Sequence, residues 1–237
     1  MDLFPDHPLL KKPPPRAALW RYMSVPKFLS LLSRRALYFP TLEALGDDYE
    51  GRYSDATLAR FPNLRDFEPL NRSLAVNCWS LAPADSPMHW STFCPGNFGV
   101  AVVSSLERLS SAFDPHRAII ESTLFAARVR YVDFARHQHV KPDSAVNPLT
   151  PAATKRIQFL AEKEVRLILF GDPRLKAELR NNQGAYLSLN LAKAFDAVVC
   201  GPGSPSWFQE DIEKLLKRYR LPLVSVKRSN VDAERSV

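Results

Sequence analysis

Apolar residues along the chain recur in short runs bounded by turn residues, not in long periodic stretches. Runs of this length predict strands. They lie at Ala18 to Tyr22, Ala36 to Phe39, Leu74 to Trp79, Phe98 to Val103, Val165 to Phe170, Ala185 to Leu191, Phe195 to Cys200 and Leu223 to Val226. Thr123 to Asp133 alternates in its second half, with Val129, Tyr131 and Asp133 against Arg128, Arg130 and Val132, which predicts another strand. Helical spacing is confined to a few places. Phe28, Leu31 and Leu32 mark a helix from Val25 to Arg34, with Ser24 as its expected cap and Pro26 in its first turn. Phe208, Ile212, Leu215 and Leu216 mark a second from Trp207 to Arg218, with Ser206 as its expected cap. Shorter helices are predicted at Ser105 to Phe113 and Thr154 to Ala161. Residues 52–72 carry little pattern, and 136–150 read as a loop. Strands outnumber helices without regular alternation, so the expected class is α+β.

Composition sharpens this reading. With 237 residues, 46% of them hydrophobic, the chain can bury a sizeable core. The expected organisation is a flexible N-terminal arm over 1–17, a single α+β domain over 18–228 and a C-terminal tail over 229–237. The 20 prolines are spread out and punctuate loops. Cys78, Cys94 and Cys200 are odd in number and form no CxxC pair, which argues against a disulfide scaffold or a structural zinc site. A cytoplasmic protein is expected: the N-terminus lacks the apolar run of a signal peptide, and no stretch reaches the length of a membrane span.

The net charge is +7, concentrated in Arg16, Arg21, Lys27, Arg34 and Arg35 and in Lys214, Lys217, Arg218, Arg220, Lys227 and Arg228. Such a balance suits contact with a polyanion, and equally suits plain solubility.

Few constellations carry chemistry. Glu162-Lys163-Glu164 precedes the strand Val165 to Phe170, and two carboxylates two apart on an extended chain share a face. Like charges that close can split into a base and a permanent anion, or form a solvated strand start. Arg21, among aromatics, could clamp a phosphate or cover apolar surface with its stem. Ser80 follows a buried run. Trp79 and Trp90 read as core, and Cys78 as a buried thiol. His137 and His139, with Asp133, lack further ligands at telling spacing, so no metal is expected. Gly201-Pro202-Gly203-Ser204 has neither the length nor the Lys of a P-loop.

An ordered set of short motifs between about residues 18 and 228 resembles a bacterial and phage domain family of unknown function, some of whose relatives are linked to abortive phage infection. The set is Leu19-Trp20-Arg21-Tyr22, Leu37-Tyr38-Phe39-Pro40, Gly46-Asp47-Asp48-Tyr49-Glu50-Gly51, Asn77-Cys78-Trp79-Ser80, Met88-His89-Trp90-Ser91, Gly99-Val100, Glu162-Lys163-Glu164-Val165-Arg166-Leu167 and Gly201-Pro202. Asp47-Asp48-Tyr49 stands where the family usually has Asn-Asp-Pro. That family in turn is similar to the ADP-ribosyltransferase fold, a strongly bent or split mixed/antiparallel sheet flanked by short helices.

The resemblance implies a toxin or phage-defence effector whose chemistry passes ADP-ribose from NAD, as co-substrate, to a nucleic acid or protein acceptor. By position, Glu164 would stabilise the oxocarbenium-like transition state and Glu162 would orient the acceptor. Arg21, with Tyr22 beside it, and Ser80 would contact NAD. Asp48 and Glu50 are expected to hold their turn by accepting backbone N–H groups and to border the cofactor pocket. Only Ser80 remains of the Ser-Thr-Ser motif found in arginine-modifying enzymes. An antitoxin or phage trigger protein is an expected partner, and a membrane is not. The alternative is a catalytically inactive binding or sensor domain that recognises a phage protein or nucleic acid.

Overall fold

The computed structural model describes residues 3–96, 98–113, 123–139, 147–170 and 184–231. Its strands are β1 (Leu19–Ser24), β2 (Ala36–Pro40), β3 (Ala75–Leu81), β4 (Gly99–Ser104), β5 (Thr123–Arg128), β6 (Arg130–Val132), β7 (Thr154–Arg156), β8 (Glu164–Phe170), β9 (Gly184–Ser188), β10 (Ala197–Cys200) and β11 (Ser225–Arg228). The α-helices are α1 (Val25–Arg34), α2 (Asp55–Arg60), α3 (Glu68–Arg72), α4 (Pro87–Phe93), α5 (Leu106–Ala112), α6 (Leu149–Ala152), α7 (Leu191–Ala194) and α8 (Ser206–Arg218). Short 3₁₀ helices occupy Leu42–Leu45, Pro62–Phe67 and Ile157–Glu162. Short helices among mostly antiparallel strands make the class α+β.

The chain forms two compact units. The first comprises Met1–Pro13, Tyr38–Cys78 and Ile119–Tyr186, and the second Pro14–Leu37, Trp79–Ala118 and Leu187–Val237. Three of the passages between them fall inside β2, β3 and β9, and the first falls between Pro13 and Pro14.

In the first unit the strand order is β3-β8-β5. β5 runs antiparallel to β8, with Leu124 opposite Leu169 and Arg128 opposite Val165. β6 and β7 form a parallel pair in which Tyr131 faces Lys155. Leu42, Leu74, Val76, Ala127, Leu149, Ala152 and Ile168 are buried together as the core. The N-terminal segment is seated here. Phe4 is buried, and Arg128 N donates to Lys11 O at 2.7 Å.

In the second unit the order is β11-β10-β4-β1-β3. β1 lies antiparallel to β4 along its whole length and to the end of β3, where Trp20 faces Ser80. β10 is antiparallel to β4 but parallel to β11, so the sheet is mixed. Trp20, Tyr22, Trp90, Cys94, Ala101 and Val199 form the apolar cluster on one face. α1 buries Phe28, Leu31 and Leu32. α8 buries Phe208, Ile212 and Leu216. Gly99 is required by packing: a Cβ there would stand 2.3 Å from Cys94 Cβ.

Several sequence expectations change. Ser24 is the N-cap residue of α1 but makes no side-chain cap bond, and Pro26 in the first turn has no N–H to donate to it. Pro205, not Ser206, is the N-cap of α8. The expected helix Thr154 to Ala161 is instead β7 followed by a 3₁₀ helix, because no partner surface covers the Ile157 and Leu160 side a helix would bury. Both remain exposed. Thr123 to Asp133 breaks at Val129, whose N–H bonds Glu164 O at 2.9 Å. Asn190 ends the expected strand from Ala185 by capping α7, accepting from Ala192 N and Lys193 N. Residues 52–72 hold α2, a 3₁₀ turn and α3. Ser54 caps α2, and Pro62 and Pro69 sit in the first turns of the other two. Of the regions anticipated as loop and tail, 140–146 and 232–237 lie outside the described residues. No helix among the described residues is long and apolar enough to cross a membrane.

Candidate functional site

β8 alternates faces, so Glu164 and Arg166 project together from its first turn of pleat. Among the described residues, Arg166 is the largest fully buried side chain. Its Nε donates to Glu164 Oε1 at 2.8 Å, and Nη2 donates to Glu164 Oε2 at 3.1 Å and to Glu50 Oε1 at 2.8 Å. Nη1 donates to Ala152 O at 2.8 Å and stands 2.7 Å from Glu50 Oε2 as an ion pair. Every guanidinium nitrogen is thus engaged. Planar, forked recognition of two carboxylates is what arginine does and lysine cannot.

Lys155 reaches the same cluster from β7. Its Nζ is 2.6 Å from Glu162 Oε2 and 3.5 Å from both Glu164 Oε2 and Glu50 Oε1. The ammonium also lies 4.5 Å over the Phe159 ring. The backbone of Glu164 is fixed as well: its N–H donates to the Tyr131 hydroxyl at 2.7 Å and its carbonyl accepts from Val129.

The charge states follow from these contacts. Burial alone would raise the Glu164 carboxyl. The Arg166 guanidinium, with Lys155 and a hydrogen bond from the Cys78 thiol, more than reverses this and holds it down at about 2. Burial would likewise lower Lys155 and Arg166, but the clustered carboxylates outweigh it and both cations are reinforced. Glu162 moves the opposite way: burial raises it against the pull of Lys155. Its side chain is 19% exposed against 7% for Glu164.

Glu162 and Glu164 do not share a strand face as two residues of one extended chain. Lys163 between them is left-handed, with φ 45° and ψ 46°, and Glu162 ends the 3₁₀ helix. They meet through Lys155 instead. The turn from Gly46 to Gly51 is also held differently from expectation. Asp47, not Asp48, accepts the turn's backbone N–H, from Tyr49 at 3.1 Å. Asp48 is exposed, and Glu50 turns inward to Arg166 because a buried guanidinium is a stronger partner than a backbone amide. Arg156 anchors the same turn, 3.1 Å from Asp47 Oδ1 and with its guanidinium 4.2 Å over the Tyr49 ring.

Cys78 is half-buried and bonded to Glu164, so it is not the plain buried thiol that the sequence suggested. Trp79 and Trp90 are core. His137 and His139 secure the start of α2: Ser54 N donates to His139 Nδ1 at 3.0 Å, and the Ser54 hydroxyl donates to His137 O. Lys155 and Arg166 were not singled out from the sequence. The signal for Arg166 was its two-residue offset from Glu164; for Lys155 there was none, since β7 read as helix.

Arg21, Tyr22 and Ser80 lie in the second unit, and Asp48, Glu50, Glu162 and Glu164 in the first. Trp20 pairs with Ser80 across β1 and β3, so Trp20, Tyr22 and Ser80 project from one face of the sheet and Arg21 from the other. The Tyr22 hydroxyl accepts from Ser86 N at 3.0 Å, and its ring stacks on His89 at 5.0 Å.

No family model and no curated protein matches the chain. Among solved structures, DarT of Thermus sp. 2.9 in complex with NAD+ aligns over 93% of this chain and 98% of that one, at 10% identity and a TM-score of 0.41. The same protein with carba-NAD+ aligns over 92% and 96%, at 11% identity and 0.40. With ADP-ribosylated ssDNA it aligns over 93% and 97%, at 12% identity and 0.39.

Proposed function

We propose that the chain is an ADP-ribosyltransferase-like enzyme that takes NAD as co-substrate and transfers ADP-ribose to a macromolecule, with nicotinamide leaving. The observation that carries the reading is the state of Glu164. It is nearly buried, fixed at backbone and side chain, and kept ionised at about 2, far below neutral pH. Such a group acts as a standing negative charge, not as a proton carrier. A developing oxocarbenium ion needs that kind of partner, preorganised and partly dry. Glu162 is more exposed and held by Lys155, which suits a carboxylate that orients the incoming acceptor. The motif order along the chain supports the same assignment.

NAD contacts are assigned to Tyr22, Ser80 and Arg21. Because Arg21 projects from the opposite sheet face, calorimetry on Arg21→Ala and Ser80→Ala variants tells which face the cofactor uses. Arg21→Ala is expected to weaken NAD binding; if Ser80→Ala alone does so, the cofactor lies on the Tyr22 and Ser80 face and the contact given to Arg21 falls. The basic surface favours a nucleic-acid acceptor.

The deciding assay is nicotinamide release from NAD by the purified protein, alone and with single-stranded DNA. Glu164→Gln keeps the size of the side chain and one acceptor oxygen but removes the charge and one of the two bonds from Arg166. It should lower the rate by about a hundredfold or more with the fold intact. A second reading, a catalytically inactive binding domain, is favoured by the occupation of both Glu164 oxygens by Arg166. It becomes the better account if wild-type protein binds no NAD by calorimetry and Glu164→Gln keeps the full biological effect.

A further inference from the structure

We infer that Glu50 and Arg166 are positioning residues for Glu164: Arg166 fixes its place and ionisation, and Glu50 keeps Arg166 from cancelling its charge. The inference rests on the proposed transferase reading. It answers the difficulty that a carboxylate gripped by one guanidinium should be electrostatically silent. Here the guanidinium is shared. Arg166 gives two hydrogen bonds to Glu164, one hydrogen bond and a 2.7 Å ion contact to Glu50, and one bond to Ala152 O. One cation between two carboxylates leaves a net negative charge on the trio. The remaining charged neighbours, Lys155 and Glu162, balance each other at 2.6 Å. Tyr131 and Cys78 add only hydrogen bonds at Glu164. The whole cluster therefore keeps one uncompensated negative charge in a desolvated place, where it acts at full strength.

Glu50 is not needed to hold its own turn. Asp47 pairs with Arg156, Tyr49 lies under the same guanidinium, and Arg72 Nη1 donates to Asp48 O at 3.2 Å. A Glu50→Gln side chain can still accept one bond from Arg166 through its amide oxygen, so this variant removes the charge and one of the two contacts. Arg166 is different. Removing it strands two buried carboxylates, and one of them must take up a proton.

The test has two arms. The first follows the Glu164 carboxyl carbon by NMR as pH is lowered, and needs no activity. Glu164 should remain ionised to below about pH 3 in wild type and in Glu50→Gln. In Arg166→Gln its midpoint should rise by more than about one pH unit. If Arg166→Gln does not fold, Arg166→Met takes its place, since it fills similar space without charge or donors. An unchanged midpoint overturns the role given to Arg166. The second arm measures nicotinamide release. Glu50→Gln should lower kcat about tenfold with KM for NAD unchanged. A raised KM with kcat unchanged would make Glu50 a cofactor contact, and no change in either would make its charge irrelevant; both overturn the inference. If wild type releases no nicotinamide, the transferase reading falls, and the titration alone decides whether Arg166 governs Glu164.

Discussion

At His139, burial decides the charge. Desolvation, with His137 and Arg130 nearby, lowers its pKa from 6.5 to about 3. The ring is therefore neutral in the fold, with Nδ1 accepting from Ser54 N and the proton on Nε2. A depressed pKa means that the unfolded chain binds more protons between these two values. The contribution to stability is complete above about pH 6.5 and drains away as pH falls toward 3, with a limiting slope of about 1.4 kcal/mol per pH unit. Glu164 is depressed from 4.5 to about 2, so its contribution is complete above 4.5 and is lost on the way down to 2. Urea unfolding across pH 7 to 3 should thus weaken in two stages, the histidine first. His139→Asn keeps an acceptor near the Nδ1 position but cannot titrate, and should flatten the upper stage. A profile identical to wild type would remove His139 from the acid response. The place of Glu164 at the head of an apolar strand was legible in the sequence. The identity of its partners was only half so: Arg166 follows from strand alternation, whereas Lys155 and Glu50 arrive from distant segments that spacing cannot connect.

At the scale of elements, two backbone positions hold the carboxylates in place. Gly51 closes the turn bearing Glu50 at φ +72°, and an added Cβ would stand 3.2 Å from Arg72 Cα. Gly51→Ala should cost about 1–2 kcal/mol from the left-handed conformation and this contact together, read as a lowered urea midpoint. Lys163 is already left-handed between Glu162 and Glu164, at φ 45°. Lys163→Gly relieves that conformation and should stabilise by up to about 1 kcal/mol, while Lys163→Val should destabilise by more than that. Equal stability of all three would mean that the turn relaxes freely. Strands and the two long helices were readable because each has an apolar face that the fold uses, as in α1 with Phe28, Leu31 and Leu32. β7 was not, because Thr154, Lys155 and Arg156 carry no alternation of their own and are strand only through pairing with β6.

For the molecule as a whole, the net charge of +7 makes a polyanion the natural acceptor to test. Binding of a fluorescent single-stranded oligonucleotide should weaken by roughly tenfold or more between 50 and 200 mM salt if several phosphates are neutralised. Salt-independent binding would point to an uncharged mode of recognition. The α+β class was legible in the excess of short apolar runs over helical ones. The partition into two units was not, because the crossings inside β2, β3 and β9 carry no composition change or linker to mark them.

That crossing has a consequence in time. Each unit is assembled from three stretches far apart in the chain, and the first is complete only at Tyr186 and the second only in the region of β11. β1 emerges early in synthesis, yet the strands that finish its sheet, β10 and β11, emerge last. A nascent chain that has not yet reached Tyr186 can close neither unit, and must keep its half-made strands from pairing with other chains until the later strands emerge.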